Sequence, residues 1–147
     1  MAKWLEHSVQ VEVEIPIEVV WSLWSDLEQM PNWMRWIDSV KILEEDPELS
    51  VWKLASAGFE FSWRSRITDL ITHQVIRWES VSGLPNRGAI RFYDRGEDGS
   101  IVRLSVSYNV PPVLALMDNL FLGRVVESTI QEDLNRFRDY ALEFASS

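Results

Sequence analysis

The chain has 147 residues, 46% hydrophobic and 25% charged, with a formal net charge of −9. That balance reads as a globular protein, long enough to bury a sizeable core in a single domain, residues 1–147, with neither nucleic acid nor anionic membrane as its main partner. The sequence has no cysteine, which excludes disulfides, thiolate metal sites and cysteine nucleophiles. No apolar run approaches the ~20 residues of a membrane span. The start, Met1-Ala2-Lys3-Trp4-Leu5-Glu6, turns charged at once. No integral membrane association is therefore expected, and the expected location is cytoplasmic.

From His7 to Ile15 the chain alternates strictly. His7, Val9, Val11, Val13 and Ile15 fall on one side, and Ser8, Gln10, Glu12 and Glu14 on the other. Period two over this length predicts a half-buried strand. Pro16 ends it and can open a helix at its first turn. Val19, Val20, Leu23, Trp24 and Leu27 follow at helical spacing, and Asp26 is placed to cap a second short helix that stops at Pro31. The next segment, Met30-Pro31-Asn32-Trp33-Met34-Arg35-Trp36-Ile37, packs two tryptophans, two methionines and a proline into eight residues. Such density of large and adaptable apolar groups suits the wall or lid of a cavity.

Strand-like runs then alternate with turn signals. Val40–Leu43 precedes Glu44-Glu45-Asp46-Pro47, and Val51–Leu54 precedes Ala57-Gly58. Phe59, Phe61, Trp63 and Ile67 alternate with Glu60, Ser62, Arg64, Arg66 and Thr68. Val75–Glu79 leads to Gly83 and Pro85; Gly88, Ile90 and Phe92 alternate with Arg87, Ala89, Arg91 and Tyr93. Gly96-Glu97-Asp98-Gly99 is a hairpin signal, and Val102, Leu104, Val106 and Tyr108 alternate behind it. These runs predict six strands in an antiparallel meander.

Pro111-Pro112 closes the sheet, and the remainder reads as helix. Ile130, Leu134, Phe137, Ala141 and Phe144 form a regular apolar stripe, with Glu132 and Arg136 placed for an i,i+4 pair. The upstream half, with Val113, Leu116, Met117, Leu120, Phe121, Val125 and Val126, is less regular. Gly123 interrupts it and suggests a kink or a close approach. One long helix cannot cover seven curved strands, so the uncovered interior is expected to be a cavity.

The chain resembles the helix-grip superfamily of START lipid-transfer domains, birch-pollen-allergen-like proteins and polyketide cyclase/dehydrase proteins, most closely its bacterial cyclase/dehydrase-like (SRPBCC) members. Three segments carry the likeness: Leu27–Val40 with its tryptophan–methionine patch, Ile76-Arg77-Trp78-Glu79-Ser80 with Pro85–Phe92, and Asp133-Leu134-Asn135-Arg136-Phe137. The resemblance implies an α+β helix-grip fold. A seven-stranded curved antiparallel sheet would wrap a long C-terminal helix, with two short helices after the first strand. It also implies ligands such as lipids, isoprenoids, quinones or polyketides.

The candidate ligand-binding residues are Trp33, Trp36, Trp52, Phe61, Trp63, Trp78, Phe92, Met117, Leu120 and Phe121. For Trp33 and Trp36 the two roles, plug and lid, are near even; for Trp63 and Trp78 core packing against the long helix is the simpler reading, an ambiguity that Trp52, Phe61 and Phe92 share; Met117, Leu120 and Phe121 read as cavity edge. Arg64, Arg66, Arg77, Arg91 and Arg103 fall on the predicted outer face, where ion pairs with Glu60 and Glu79 are the simpler reading. A one-residue slip would turn Arg64 or Arg91 inward. With Tyr93 and His7 these are the possible polar groups of a cavity. His73 falls in a turn, and Asp133 and Glu132 on the helix's polar face. Two histidines without a spaced carboxylate set make no metal site, and no nucleophile, phosphate-loop or dinucleotide motif is present, so neither metal nor cofactor is expected.

Three functions remain open, in this order. The first is binding or carriage of a hydrophobic small molecule. The second is a protein-interaction module with a closed cavity. The third is a cyclase or dehydratase using the same cavity, with His7, Tyr93, Arg64 or Asp94 as its acid or base.

Overall fold

The computed structural model describes residues 4–56, 58–97, 99–114 and 117–146. Seven strands form one sheet: β1 (Trp4–Val13), β2 (Ile37–Leu43), β3 (Asp46–Ser56), β4 (Phe59–Ile71), β5 (Val75–Gly83), β6 (Asn86–Asp94) and β7 (Ser100–Asn109). Their spatial order is β1-β7-β6-β5-β4-β3-β2 and every pairing is antiparallel. Helix α1 (Ile17–Trp24) and a 3₁₀ helix (Leu27–Asn32) separate β1 from β2, and α2 (Asn119–Ser146) follows the sheet. This is the helix-grip arrangement.

Local chemistry accounts for most of these elements. The alternation of β1 holds, with His7, Val9, Val11 and Val13 buried between exposed neighbours. Pro16 lies just ahead of α1, its carbonyl accepting from the Val19 and Val20 amides. The second short helix differs from expectation. It is 3₁₀, Pro31 lies inside it, and Asp26 makes no side-chain cap bond. Pro31 has no N–H to donate, and the chain beyond it is turned by the Trp33 and Met34 amides, which both donate to the Met30 carbonyl. Asp46 and Pro47, expected in a turn, begin β3. Register shifts interrupt the β2–β3 pairing after Ile37 and Ile42, and the β4–β5 pairing after Arg64 and Ile67. Such bulges bend strands, in keeping with a sheet that curves around α2.

Helix α2 is continuous through Gly123. The glycine lies beside His7, whose ring would stand 3.5 Å from an added Cβ. Of the expected stripe, Ile130, Leu134, Phe137 and Ala141 are buried and Phe144 is exposed; Leu122 is buried in addition. Leu116 lies outside the described residues.

The C-terminal half of α2 is fastened to the segment after α1. Trp33 is 1% exposed and packs at 5.0–5.4 Å from Trp24, Phe137 and Tyr140. Trp24 in turn meets Phe137 edge-on at 4.8 Å. Asp133, expected on a polar face, is instead 2% exposed. Its carboxylate accepts from the Arg35 amide at 3.1 Å and from the Arg136 guanidinium. Arg136 also donates to the Trp33 carbonyl at 3.1 Å, so it pairs within this clasp and not with Glu132. Burial pushes the Asp133 carboxyl up, against the pull of the Arg35 amide and of Arg136. The carboxylate is thus held in place by hydrogen bonds rather than by water.

Two substitutions test these contacts. Asp133→Ala strands the Arg35 amide and Arg136, and is expected to cost about 2–3 kcal/mol in urea unfolding. Gly88 lies under the Trp78 ring, whose Cζ2 would stand 2.6 Å from an added Cβ, with the Ser105 backbone closer still. Gly88→Ala should destabilise by about 1–3 kcal/mol, read in the same way.

Candidate functional site

The N-terminal half of α2 does not fill the space beneath it. A cavity of about 340 Å³ lies between this half and the concave sheet. Its floor comes from the inward residues of the central strands: Trp52 and Leu54 of β3, Phe61, Trp63 and Ile67 of β4, Ile76 and Trp78 of β5, Ile90 of β6, and Leu104 and Val106 of β7. Leu122, Val125, Val126 and Ile130 of α2 form the roof, a stripe at helical spacing. Met30, Met34 and Trp36 close one side, and Pro111, Leu114 and Met117 another.

The few polar wall groups are mostly paired to one another or sealed away. The Trp52 indole N–H donates to Ser50 Oγ at 2.7 Å, and the Trp78 indole donates to Asn86 Oδ1 at 3.0 Å. Asn86 returns a bond to the Leu84 carbonyl at 2.9 Å. Ser65 Oγ and the Trp24 indole N–H are buried without a hydrogen-bond partner among the described residues. Trp52 and Trp63 stack 5.9 Å apart and nearly parallel.

Tyr108 is different. It stands in the wall at the end of β7. Its hydroxyl lies 3.2 Å from Nε2 of His7 on the adjoining β1, and their rings stack at 5.7 Å. On the other side of the imidazole, Glu127 of α2 places a carboxylate oxygen 3.5 Å from Nδ1. His7 is buried, and Glu127 reaches it from solvent. Burial pushes the Tyr108 phenol up to about 12.

The structure divides the sequence-nominated residues into two groups. Trp36, Trp52, Phe61, Trp63, Trp78 and Met117 line the cavity. Trp33, Phe92, Leu120 and Phe121 do not. Trp33 plugs the dry end beside Phe137. Phe92 is two residues beyond the wall residue Ile90, under α1, where Trp21 packs on it at 5.0 Å. Leu120 and Phe121 are 65% and 57% exposed; at 100° per residue, a helix that turns Leu122 inward turns both of them away. Arg64, Arg91 and Tyr93 are exposed on the outer face. Although β4 shifts register against β5 right after Arg64, its pairing with β3 is unbroken and Arg64 stays outside.

The outer ion pairs differ from those expected. Arg66 pairs with Asp46 and Glu48, while Glu60 takes Lys53. His73 is half-buried edge-on to Trp21 at 6.2 Å, with a left-handed backbone (φ 64°). Tyr108 and Glu127 were not nominated from sequence. Tyr108 falls on the inward parity of β7, so its place in the wall was readable; its bond to His7 was not.

A family model described as "Polyketide cyclase / dehydrase and lipid transport" matches residues 13–138. The chain belongs to this family. Solved structures share the fold of this chain over nearly its whole length. A protein from Thermus thermophilus superposes with a TM-score of 0.81 at 20% identity, covering 97% of this chain and all of its own. A START superfamily protein from Mycobacterium smegmatis gives 0.78 at 15% identity, with 95% and 98% covered. The Zhui aromatase/cyclase of Streptomyces sp. R1128 gives 0.73 at 22% identity, with 96% and 94% covered. Among the described residues of this family member, no helix is long and apolar enough to cross a membrane.

The Tyr108 environment has a pH signature. Its folded value lies above the ordinary 10.0 of tyrosine. The folded state therefore holds this proton after the unfolded chain has lost it. The stability this contributes is complete below pH 10 and is lost as pH rises towards about 12. A spectrophotometric titration should show one phenolate step near pH 12 that disappears in Tyr108→Phe.

Proposed function

We propose that this protein binds a hydrophobic small molecule in the cavity between the sheet and α2. The carrying observation is the open, carbon-lined space itself. A wall of tryptophan, phenylalanine, leucine, isoleucine and valine gains little from water and much from an apolar guest. Each 100 Å² of apolar ligand surface taken from water contributes roughly 2.5 kcal/mol before the costs of association. The lipid-transport part of the family description supports this class of ligand, and polyketide-like, isoprenoid or quinone molecules suit the same wall.

An interaction module with a closed cavity is disfavoured, because the protein's own aromatics leave the space unfilled. A cyclase or dehydratase reading has one observation in its favour, the Tyr108 hydroxyl bonded to His7 beside the wall. Such a pair can act as acid and base only on a substrate group that reaches it.

Titration with the fluorescent apolar probe N-phenyl-1-naphthylamine should give saturable one-to-one binding. Ile67→Trp and Val106→Trp, each adding bulk to the wall, should each weaken it about tenfold, a change of roughly 1.4 kcal/mol. Absence of saturable binding, or equal binding in both filled variants while they remain folded, overturns the proposal.

A further inference from the structure

If the cavity is a binding site, its polar wall groups decide what an apolar ligand must carry. Ser50 and Asn86 already accept from the Trp52 and Trp78 indoles, Ser65 Oγ is sealed from the cavity, and Ser56 is the last residue of β3. Tyr108 brings a hydroxyl to the wall in an orientation fixed from behind. We propose that Tyr108, oriented through His7 and Glu127, is the recognition point for a hydroxyl donor on an otherwise apolar ligand such as a phenol, an enol or an alcohol.

The chain of contacts runs from the outside inwards. The Glu127 carboxylate stands 3.5 Å from His7 Nδ1. A negative oxygen there attracts an N–H and repels a lone pair, so it selects the Nδ1–H tautomer of the neutral ring. Nε2 then carries the lone pair. The Tyr108 hydroxyl, 3.2 Å away, must be the donor to it. With its one proton committed to His7, the phenol oxygen has only lone pairs to offer. A ligand hydroxyl completes the chain by donating to that oxygen, whereas a bare carbonyl would set lone pair against lone pair. A tyrosine phenol is protonated across the physiological range, as this chain requires, and burial pushes this one further up. His7 and Glu127 act through Tyr108 and are positioning residues. Gly123 leaves the imidazole its place against α2.

The test compares 2-naphthol with 2-methoxynaphthalene, which share ring and oxygen but differ in the donor proton, by fluorescence titration of the intact protein. The wild type should prefer the naphthol by about fivefold, the worth of one modest hydrogen bond. Tyr108→Phe should bring the ratio to about one. Glu127→Ala, a change at an exposed side chain, should also reduce it, whereas Glu127→Gln should keep it, because it keeps an oxygen that can face Nδ1. ¹⁵N NMR of the histidine rings should show the Nδ1–H tautomer of His7 in the wild type and in Glu127→Gln, and its loss in Glu127→Ala. Equal affinity of the wild type for both naphthalenes, or an Nε2–H tautomer, overturns the proposal while leaving the binding cavity intact. Binding of neither probe removes the cavity reading and this proposal with it.

Discussion

The C-terminal half of helix α2 is clamped to the segment after α1, and much of the rest of the molecule follows from that constraint. Trp24, Trp33, Phe137 and Tyr140 form an aromatic block, and the Asp133–Arg136–Arg35 clasp ties it to the segment after α1. Aromatic burial supplies the non-directional part of this attachment and the buried carboxylate supplies the directional part. With its C-terminal half fixed, the other half of the helix projects over a sheet too wide for it to cover. The cavity is the remainder, bounded by side chains that would otherwise have met.

The attachment carries a cost. The indole N–H groups of Trp24 and Trp33 are buried without hydrogen-bond partners among the described residues. Each is worth about 1–3 kcal/mol against folding. Only a densely packed aromatic block offsets that, which is consistent with four rings converging here. Both orphan donors therefore mark where packing was favoured over polar satisfaction.

Much of this was legible in the chain. Period-two alternation placed β1 and the inward faces of β4, β6 and β7, because burying one face of a sheet leaves a strict parity. The parity also kept Arg64, Arg91 and Tyr93 outside. It did not say how far along each strand the cavity extends. Ile90 and Phe92 have the same parity, yet one faces the cavity and the other lies under α1. Helical periodicity failed in a comparable way. Leu120 and Phe121 are as apolar as Leu122, and only the phase of the whole helix, set by Leu134 and Phe137 far downstream, turns Leu122 inward. Asp133 read as surface because a charged residue beside Glu132 usually is. Its burial depends on the Arg35 amide, which is remote in sequence. Contacts between side chains of distant elements, such as Tyr108 to His7, leave no periodic trace.

The order in which the sheet is assembled has its own consequence. The first strand made, β1, pairs only with the last: Trp4 lies opposite Asn109 and Val13 opposite Ser100. During synthesis its apolar edge has no partner until nearly the whole meander exists. Pairings of such long sequence separation are slow to form. The His7–Tyr108 bond spans that same seam, and Glu127 arrives later still with α2. The earliest residues and the latest thus meet in one place, and the Glu127–His7–Tyr108 chain comes into being only when the topology closes.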